Sequence, residues 1–314
     1  ECGEQGHPQG GTYRGLWVKW RLLGPRVWAL TWAPTRGHLL SKGKLETSLF
    51  MRIAIISDIH GNCVALDAVL ADIASEDQEA VDGYWILGDL AAAGAQPLEV
   101  MERVLGLDNA RIVRGNSERY LTTGERPLAT PVEEVTDLAL LRACIGILES
   151  FSWTAGAMAA AGHVPFMLAL PLEERLTLPD GSRVLLVHAS PGRDDGSGFV
   201  PWYSDGEMSE RLEGCGADLV CVGHTHWPQN FHLNGTHVVN PGSVGNPMIP
   251  SLRATYAILE ADESGYRVEH RAVEYDRKLA EEKAWAVQHP QAEFISSFLR
   301  GDRVRSWGEP EVLK

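Results

Sequence analysis

Five short apolar runs, each ending in a side chain able to ligate a metal, constrain this chain more than any other feature of it. They read IAIIS before Asp58-Ile59-His60, YWIL before Gly88-Asp89, IVR before Gly115-Asn116, VLLV before His188, and LVCV before Gly223-His224-Thr225-His226. Runs of Val, Ile and Leu bounded by Gly, Asp or Asn are how a strand buried on both faces reads in sequence. Ligand-type side chains at the carboxyl ends of several strands place any chemistry just outside the strand termini, where α/β sheets hold their ligands. No single run is specific. Their order, spacing and shared position are.

Taken singly, each ending has a plainer reading. Asp58 and His60 lie two apart, so both face one point only if the strand end opens into a loop; a solvent-facing loop would look the same. A carboxylate with an imidazole suits manganese, iron, nickel or zinc better than magnesium or calcium, which prefer all-oxygen shells. Asp89 would serve equally as a helix N-cap, although its two oxygens allow one Asp to bridge two cations. Gly115-Asn116 would make an ordinary turn, and His188 a core or rim histidine. The pair His224 and His226 is the strongest local signal, because two imidazoles at i and i+2 beside a glycine rarely have a purely structural purpose. Arg114, just before Asn116, would grip phosphate oxygens or close a strand-end salt bridge. Asn240 and Ser243 in NPGSVG would line a pocket or form a Gly/Pro turn, and Asn62 would do the first or cap a helix. His163, His232 and His237 fall on helix or hairpin positions, as partnerless surface or core histidines.

Around these runs the pattern alternates. A strand at about 52–57 precedes a helix over Val64–Ile73 capped by Asn62; a strand at about 84–87, a helix opened by Pro97 and a strand at 111–114 come next. Residues 133–170 read as mainly helical, with Leu138, Leu141, Ile145 and Leu148 on one apolar face. LTLPDGSRVLLV reads as strand, Asp-Gly turn, strand, and Ser204 or Asp205 caps a helix through Glu213. Residues 228–273 give antiparallel strands with turns at Asn234-Gly235 and near Glu263–Gly265. A charged helix over Asp276–Gln288 and further turns around Ala292–Leu299 close the chain. Parallel βα units succeeded by hairpins predict an α/β fold, a four-layer α/β/β/α sandwich of two mixed sheets with the site at the strand ends.

Residues 1–50 look different, with four tryptophans, scattered Arg and Gly, and no sustained period. They fail as a signal peptide, since VWALTWA is short and late, and read as an extension outside the fold. That divides the chain into 1–50, a main domain over 51–275 and a helical tail over 276–314. The formal charge is -14, and residues 1–50 hold seven Lys or Arg against three Glu, so the acidity lies in residues 51–314. An acidic body argues against nucleic-acid binding, which needs a basic stripe. No stretch reads as long and apolar enough to span a bilayer. Cys2, Cys63, Cys144, Cys215 and Cys221 are odd in number and lack framework spacing, which suggests free thiols in the cytoplasm.

Asp-x-His, Gly-Asp, Gly-Asn, a lone His and Gly-His-x-His, in that order, resemble the calcineurin-like metallophosphoesterase superfamily over residues 51 to about 275. SDIHGN, HASPG, GHTHWP and NPGSVG look most like its small bacterial and archaeal phosphodiesterase branch. That resemblance implies two divalent ions (manganese, nickel, iron or zinc), one held by Asp58, His60, Asp89 and His226. Asp89, Asn116, His188 and His224 would hold the other, with Asp89 bridging. It implies hydrolysis of a small phosphoester or nucleotide by in-line attack of a hydroxide between the ions, with Asp89, Asn116 and Arg114 serving catalysis. Two cations outweigh two carboxylates and a hydroxide, so phosphate would be drawn by the metals and not by the acidic body. One position departs: the family's Gly-Asn-His reads Gly115-Asn116-Ser117, which removes the histidine often assigned to protonating the leaving group. A diester is therefore the expected substrate, with monoesters and dinucleoside polyphosphates as alternatives and a homo-oligomer left open. A retromer-like scaffold typically loses ligands, and none is lost here.

Overall fold

From Met51 onward, strands and helices alternate in a computed structural model that describes residues 50–75, 79–127, 134–302, 304 and 308–313. The expected extension lies outside the described residues except for Phe50. The first half builds β1 (Met51–Ile56), α1 (Cys63–Ile73), β2 (Gly83–Ile86), α2 (Pro97–Leu105), β3 (Ala110–Ile112) and α3 (Asn116–Thr123). Helices α4 (Leu138–Ala160) and α5 (Val164–Ala169) lead into β4 (Glu173–Thr177), β5 (Arg183–Val187), α6 (Asp205–Leu212) and β6 (Leu219–Cys221). Then come β7 (Gln229–Leu233), β8 (Thr236–Asn240), β9 (Ala254–Asp262), β10 (Gly265–Val273), α7 (Arg277–Ala286) and α8 (Ala292–Leu299).

The strands form two mixed sheets of five, ordered β10-β9-β1-β2-β3 and β4-β5-β6-β8-β7. In the first, β1, β2 and β3 run parallel and β9 joins antiparallel. The hairpins that the turn signals predict are present, β4 with β5, β7 with β8 and β9 with β10, while the centre of the second sheet, β5, β6 and β8, is parallel. The period-2 alternation of side chains explains the layering. Ile53 and Ile55 face the other sheet, meeting Val184, Leu186, Leu219 and Val239, while Ala54 and Ile56 face the outer helices. Leu185 and Val187 turn the opposite way, toward Leu212 of α6. Helices thus cover both outer faces, as a strand apolar on both sides requires. Each fully buried Ile or Leu contributes about 1.5–3 kcal/mol.

Local signals hold where a cap defines them. Asn62 Oδ1 accepts from the Ala65 amide at 3.1 Å, and Ser204 and Glu207 form a reciprocal capping box. Helix α4 departs from its predicted register. Leu138 and Ile145 of the expected apolar face are exposed, and Cys144, Phe151, Thr154 and Met158 are buried instead. On the buried side Cys144, Gly146 and Ser150 are small and carry little hydrophobic signature. By length and composition α4 is also apolar enough to cross a membrane, contrary to the expectation from sequence, though 28% of that stretch is buried inside the fold. The helical tail packs on the fold: Ala284 and Ala292 pack with Ala95, and Ile295 joins them.

Candidate metal centre

The parallel centres of the two sheets end at the same place. Past β1 the Asp58 amide bonds to the Gly88 carbonyl at 3.1 Å, and past β6 the Gly223 amide bonds to the His188 carbonyl at 2.8 Å. The His224 amide donates to Asp58 Oδ2 at 3.0 Å and the Ser117 amide to Asp89 Oδ1 at 2.9 Å, which joins these pairs and the third motif in one mouth. Asp58, His60, Asp89, His224 and His226 all have positive φ, between 47° and 68°. Left-handed backbone at a non-glycine residue costs roughly 1–2 kcal/mol each. Five such residues at one mouth mark a place where geometry overrides local preference. Gly115 and Gly223 permit it by close approach: a Cβ on Gly115 would overlap the Asp89 carboxylate, and one on Gly223 would overlap Ser57 and Asp58.

Two ligand-type clusters result. Donor atoms of Asp58, His60 and His226 lie within 4.8 Å of one another, as do those of Asp58, Asp89 and His188, and each set could hold a metal ion. His226 Nε2 is 3.2 Å from Asp58 Oδ1, and His60 Nε2 is 3.6 Å from Asp89 Oδ2. The other oxygen, Asp89 Oδ1, is 3.5 Å from His188 Nε2, so Asp89 faces both clusters with different oxygens. Asn116 Oδ1 lies 3.0 Å from His188 Nε2 and 2.9 Å from His224 Nδ1.

The chemistry of this donor set fits a cation. Each of the four imidazoles sets its outer nitrogen against a backbone carbonyl: His60 on Ala92, His188 on Leu87, His224 on Gly196 and His226 on Asn246. A carbonyl only accepts, so the outer nitrogen donates and a neutral ring points its lone pair inward. His60 and His226 then oppose Nε2 to Nε2 at 3.0 Å, and Asn116 Oδ1 faces two further lone pairs. Asp58 Oδ1 is buried and accepts no hydrogen bond. Like-signed lone pairs this close need a positive charge among them, a metal cation or a proton.

Electrostatics agree. Burial works against ionising Asp58, yet the imidazoles of His226, His60 and His188 hold its carboxyl well below the usual range. Burial would lower His60, but Asp58 and Asp89 raise it to about 9. His188 is raised as well, burial being outweighed by Asp89 and Asp58, whereas burial and neighbouring His188 lower His224.

Several bracing residues carry no such signal in the sequence. Buried Glu118 accepts from the amides of Asp89 (2.9 Å), Leu90 (2.8 Å) and Gly115 (2.9 Å), tying the second motif to the third. Burial and the charge of Asp89 raise its pKa. Its one sequence signal is its place after Ser117 in a motif. Asn240 and Ser243 do not line a pocket; they are fully buried, Asn240 Nδ2 donating to the Gly223 carbonyl at 2.8 Å and Ser243 Oγ to the Asp58 carbonyl at 2.8 Å. Arg114 takes the salt-bridge option, 2.8 Å from Asp194, which Arg119 also grips at 3.0 Å. Ser117 is 2% exposed, and its amide donates to Asp89 Oδ1 at 2.9 Å. His237, expected without partners, bonds Tyr266 and Asn230 and stacks on His232.

Comparison with known proteins gives a consistent answer. A family model described as the calcineurin-like phosphoesterase superfamily domain matches residues 51–264. An uncharacterized protein of Methanocaldococcus jannaschii is 32% identical over 249 residues, covering 74% of this chain and 90% of that one. The crystal structure of a metallophosphoesterase from Sphaerobacter thermophilus is similar with a TM-score of 0.60 at 28% identity, over 80% of this chain and 98% of that one. A symmetrical bis(5'-nucleosyl)-tetraphosphatase of Pectobacterium carotovorum is 32% identical over 91 residues, which is 28% of this chain and 32% of that protein.

Proposed function

This chain belongs to the calcineurin-like phosphoesterase superfamily, and from that premise we propose that it is a two-metal phosphodiesterase. The observation that carries the reading is Asp89, whose Oδ2 faces His60 at 3.6 Å and whose Oδ1 faces His188 at 3.5 Å. We assign Asp58, His60, Asp89 and His226 to one ion, and Asp89, Asn116, His188 and His224 to the other. Two divalent cations, when bound, would supply Lewis acidity at the phosphoryl oxygens and lower the pKa of the attacking water. The chain's own part is orientation. The four carbonyls fix each ring, Glu118 and Ser243 fix the loops, and the strained backbone turns the side chains inward. Arg114 is proposed to act through Asp194, steadying the loop that carries Gly196.

The diester preference rests on Ser117. A hydroxyl of ordinary pKa does not deliver a proton at neutral pH as an imidazolium does. A buried serine there also adds no positive charge, which a monoester dianion needs more than a diester monoanion. A dinucleoside polyphosphate is the second reading, favoured by the stretch shared with the Pectobacterium tetraphosphatase. The four described cysteines are free and buried, which supports a reducing compartment, the cytoplasm. The test is a phosphoester panel on metal-stripped protein reloaded with manganese, nickel, iron, zinc or magnesium. Diesters with acidic leaving groups should turn over fastest. No turnover with any metal would end the proposal, and monoesters outpacing diesters would end the diester assignment.

A further inference from the structure

Beside the first cluster lies a cavity of about 110 Å³ whose lining joins His60 to the C-terminal helix α8. Its walls differ sharply. Phe294 and Phe298, one helical turn apart and packed edge to face with centroids 5.0 Å apart, form the apolar side together with Ile295. Three side-chain amides also line it, of which Asn62 is engaged with Gly245 and Ala65. Gln96 is only 8% exposed, lines the cavity, and makes no side-chain cap bond to α2. Asn246 Oδ1 is buried without a hydrogen bond, while the Asn246 carbonyl accepts from metal-cluster His226 at 2.7 Å. Apart from His60 the lining carries no titratable side chain.

We propose that this cavity is a subsite for the base of a nucleotide phosphoester, adjoining the metal centre; this rests on the two-metal reading above. The buried Asn246 oxygen lacks a hydrogen bond and Gln96 on the same lining makes no cap bond, so a ligand that returns hydrogen bonds to both fits this cavity. A heteroaromatic ring does so, offering donors and acceptors at its edge to Gln96 and Asn246 and a π-face to the phenylalanines. A charged group would enter without a counter-ion, and a plain hydrocarbon would return neither hydrogen bond. The volume is below the roughly 300–1,000 Å³ of sites that enclose a whole drug-sized ligand. It suits one ring system, with the phosphate left outside at the metals. Helix α8 lies beyond residues 51–264, so this wall belongs to the chain's own tail and not to the shared family domain.

The experiment measures binding calorimetrically to metal-loaded protein, with adenosine monophosphate and ribose phosphate as probes. The second carries the phosphate without the ring. Adenosine monophosphate should bind at least about tenfold tighter, in line with the typical contribution of one stacked base. Phe294→Ala, at a residue 38% exposed and so tolerant of truncation, and Gln96→Leu should each remove most of that advantage while ribose phosphate binding stays unchanged. Equal binding of the two probes, with ribose phosphate still bound, overturns the subsite and leaves the metal centre standing. Loss of both probes' affinity in the two variants also overturns it, since the wall would then be supporting the phosphate. If neither probe binds wild-type protein, both the subsite and the two-metal reading fall.

Discussion

The strand-end loops and the outer helices border one another yet obey different rules. At the loops, five non-glycine residues hold left-handed backbone, two carboxylates and four imidazoles crowd together, and buried Glu118 is saturated by three amides. In α4 and α8 the backbone is ordinary, and the residues that matter differ from their neighbours only in which way they point. The first region is destabilised as a fold and constrained as a site. The second is stabilised by packing. On the proposals above, chemistry belongs to one and selectivity to the other.

If that division is right, substitutions should separate the two regions. The largest effect belongs to Asp89→Asn, which should take phosphoester turnover to background under every metal, because both clusters face that carboxylate; near-normal rates would dissolve the contrast. Next comes Glu118→Gln. One amide N–H₂ would replace an acceptor among three buried donors, and chemical denaturation should register a loss of about 2–4 kcal/mol with slower turnover. A stability change below about 0.5 kcal/mol would show that Glu118 does not brace the loops.

Arg119→Ala should act through position alone. Arg119 holds Asp194, and its neighbour Asp195 takes further bonds from Arg119 and Tyr120, on the loop whose Gly196 carbonyl fixes His224. Loosening such an outer partner typically costs about tenfold in metal affinity, readable by competition with a chromogenic chelator. Unchanged affinity would mean that the loop is held by other contacts. Smallest should be Leu138→Ala on α4: at 61% exposure it should shift the melting free energy by no more than about 0.5 kcal/mol. A larger loss would mean that this face is covered in solution.

The same contrast explains what is legible in the sequence. That Asp58, His60, Asp89, Asn116, His188, His224 and His226 share one mouth can be read because each lies just past a strand whose apolar run announces it, in residue types and spacings suited to metal ligation. Caps such as Asn62 and Ser204 are legible for the same reason. The α4 register is not, since small residues such as Cys144 and Gly146 are buried there with little hydrophobic signature. Nor is the parallel centre β5-β6-β8: pairing between strands far apart in sequence leaves no local trace, and β6 is only three residues long. Arg114 and Asp194 are 80 residues apart, so their pairing is one option without a visible partner. Helix α8 is legible as a helix. That Phe294 and Phe298 border the site comes from how α7 and α8 pack, which depends on Ala95, Ala284 and Ala292, residues that mark many surfaces equally well.

The proposed centre turns on one carboxylate, Asp89, facing both clusters. The direct measurement is metal content by mass spectrometry after reloading and desalting, on wild type and Asp89→Asn in parallel. Two equivalents in wild type and well under one in Asp89→Asn are expected, since the substitution removes the charge that faces His60 with one oxygen and His188 with the other. Two equivalents retained by Asp89→Asn, or a wild type that never exceeds one, would contradict the bridging centre.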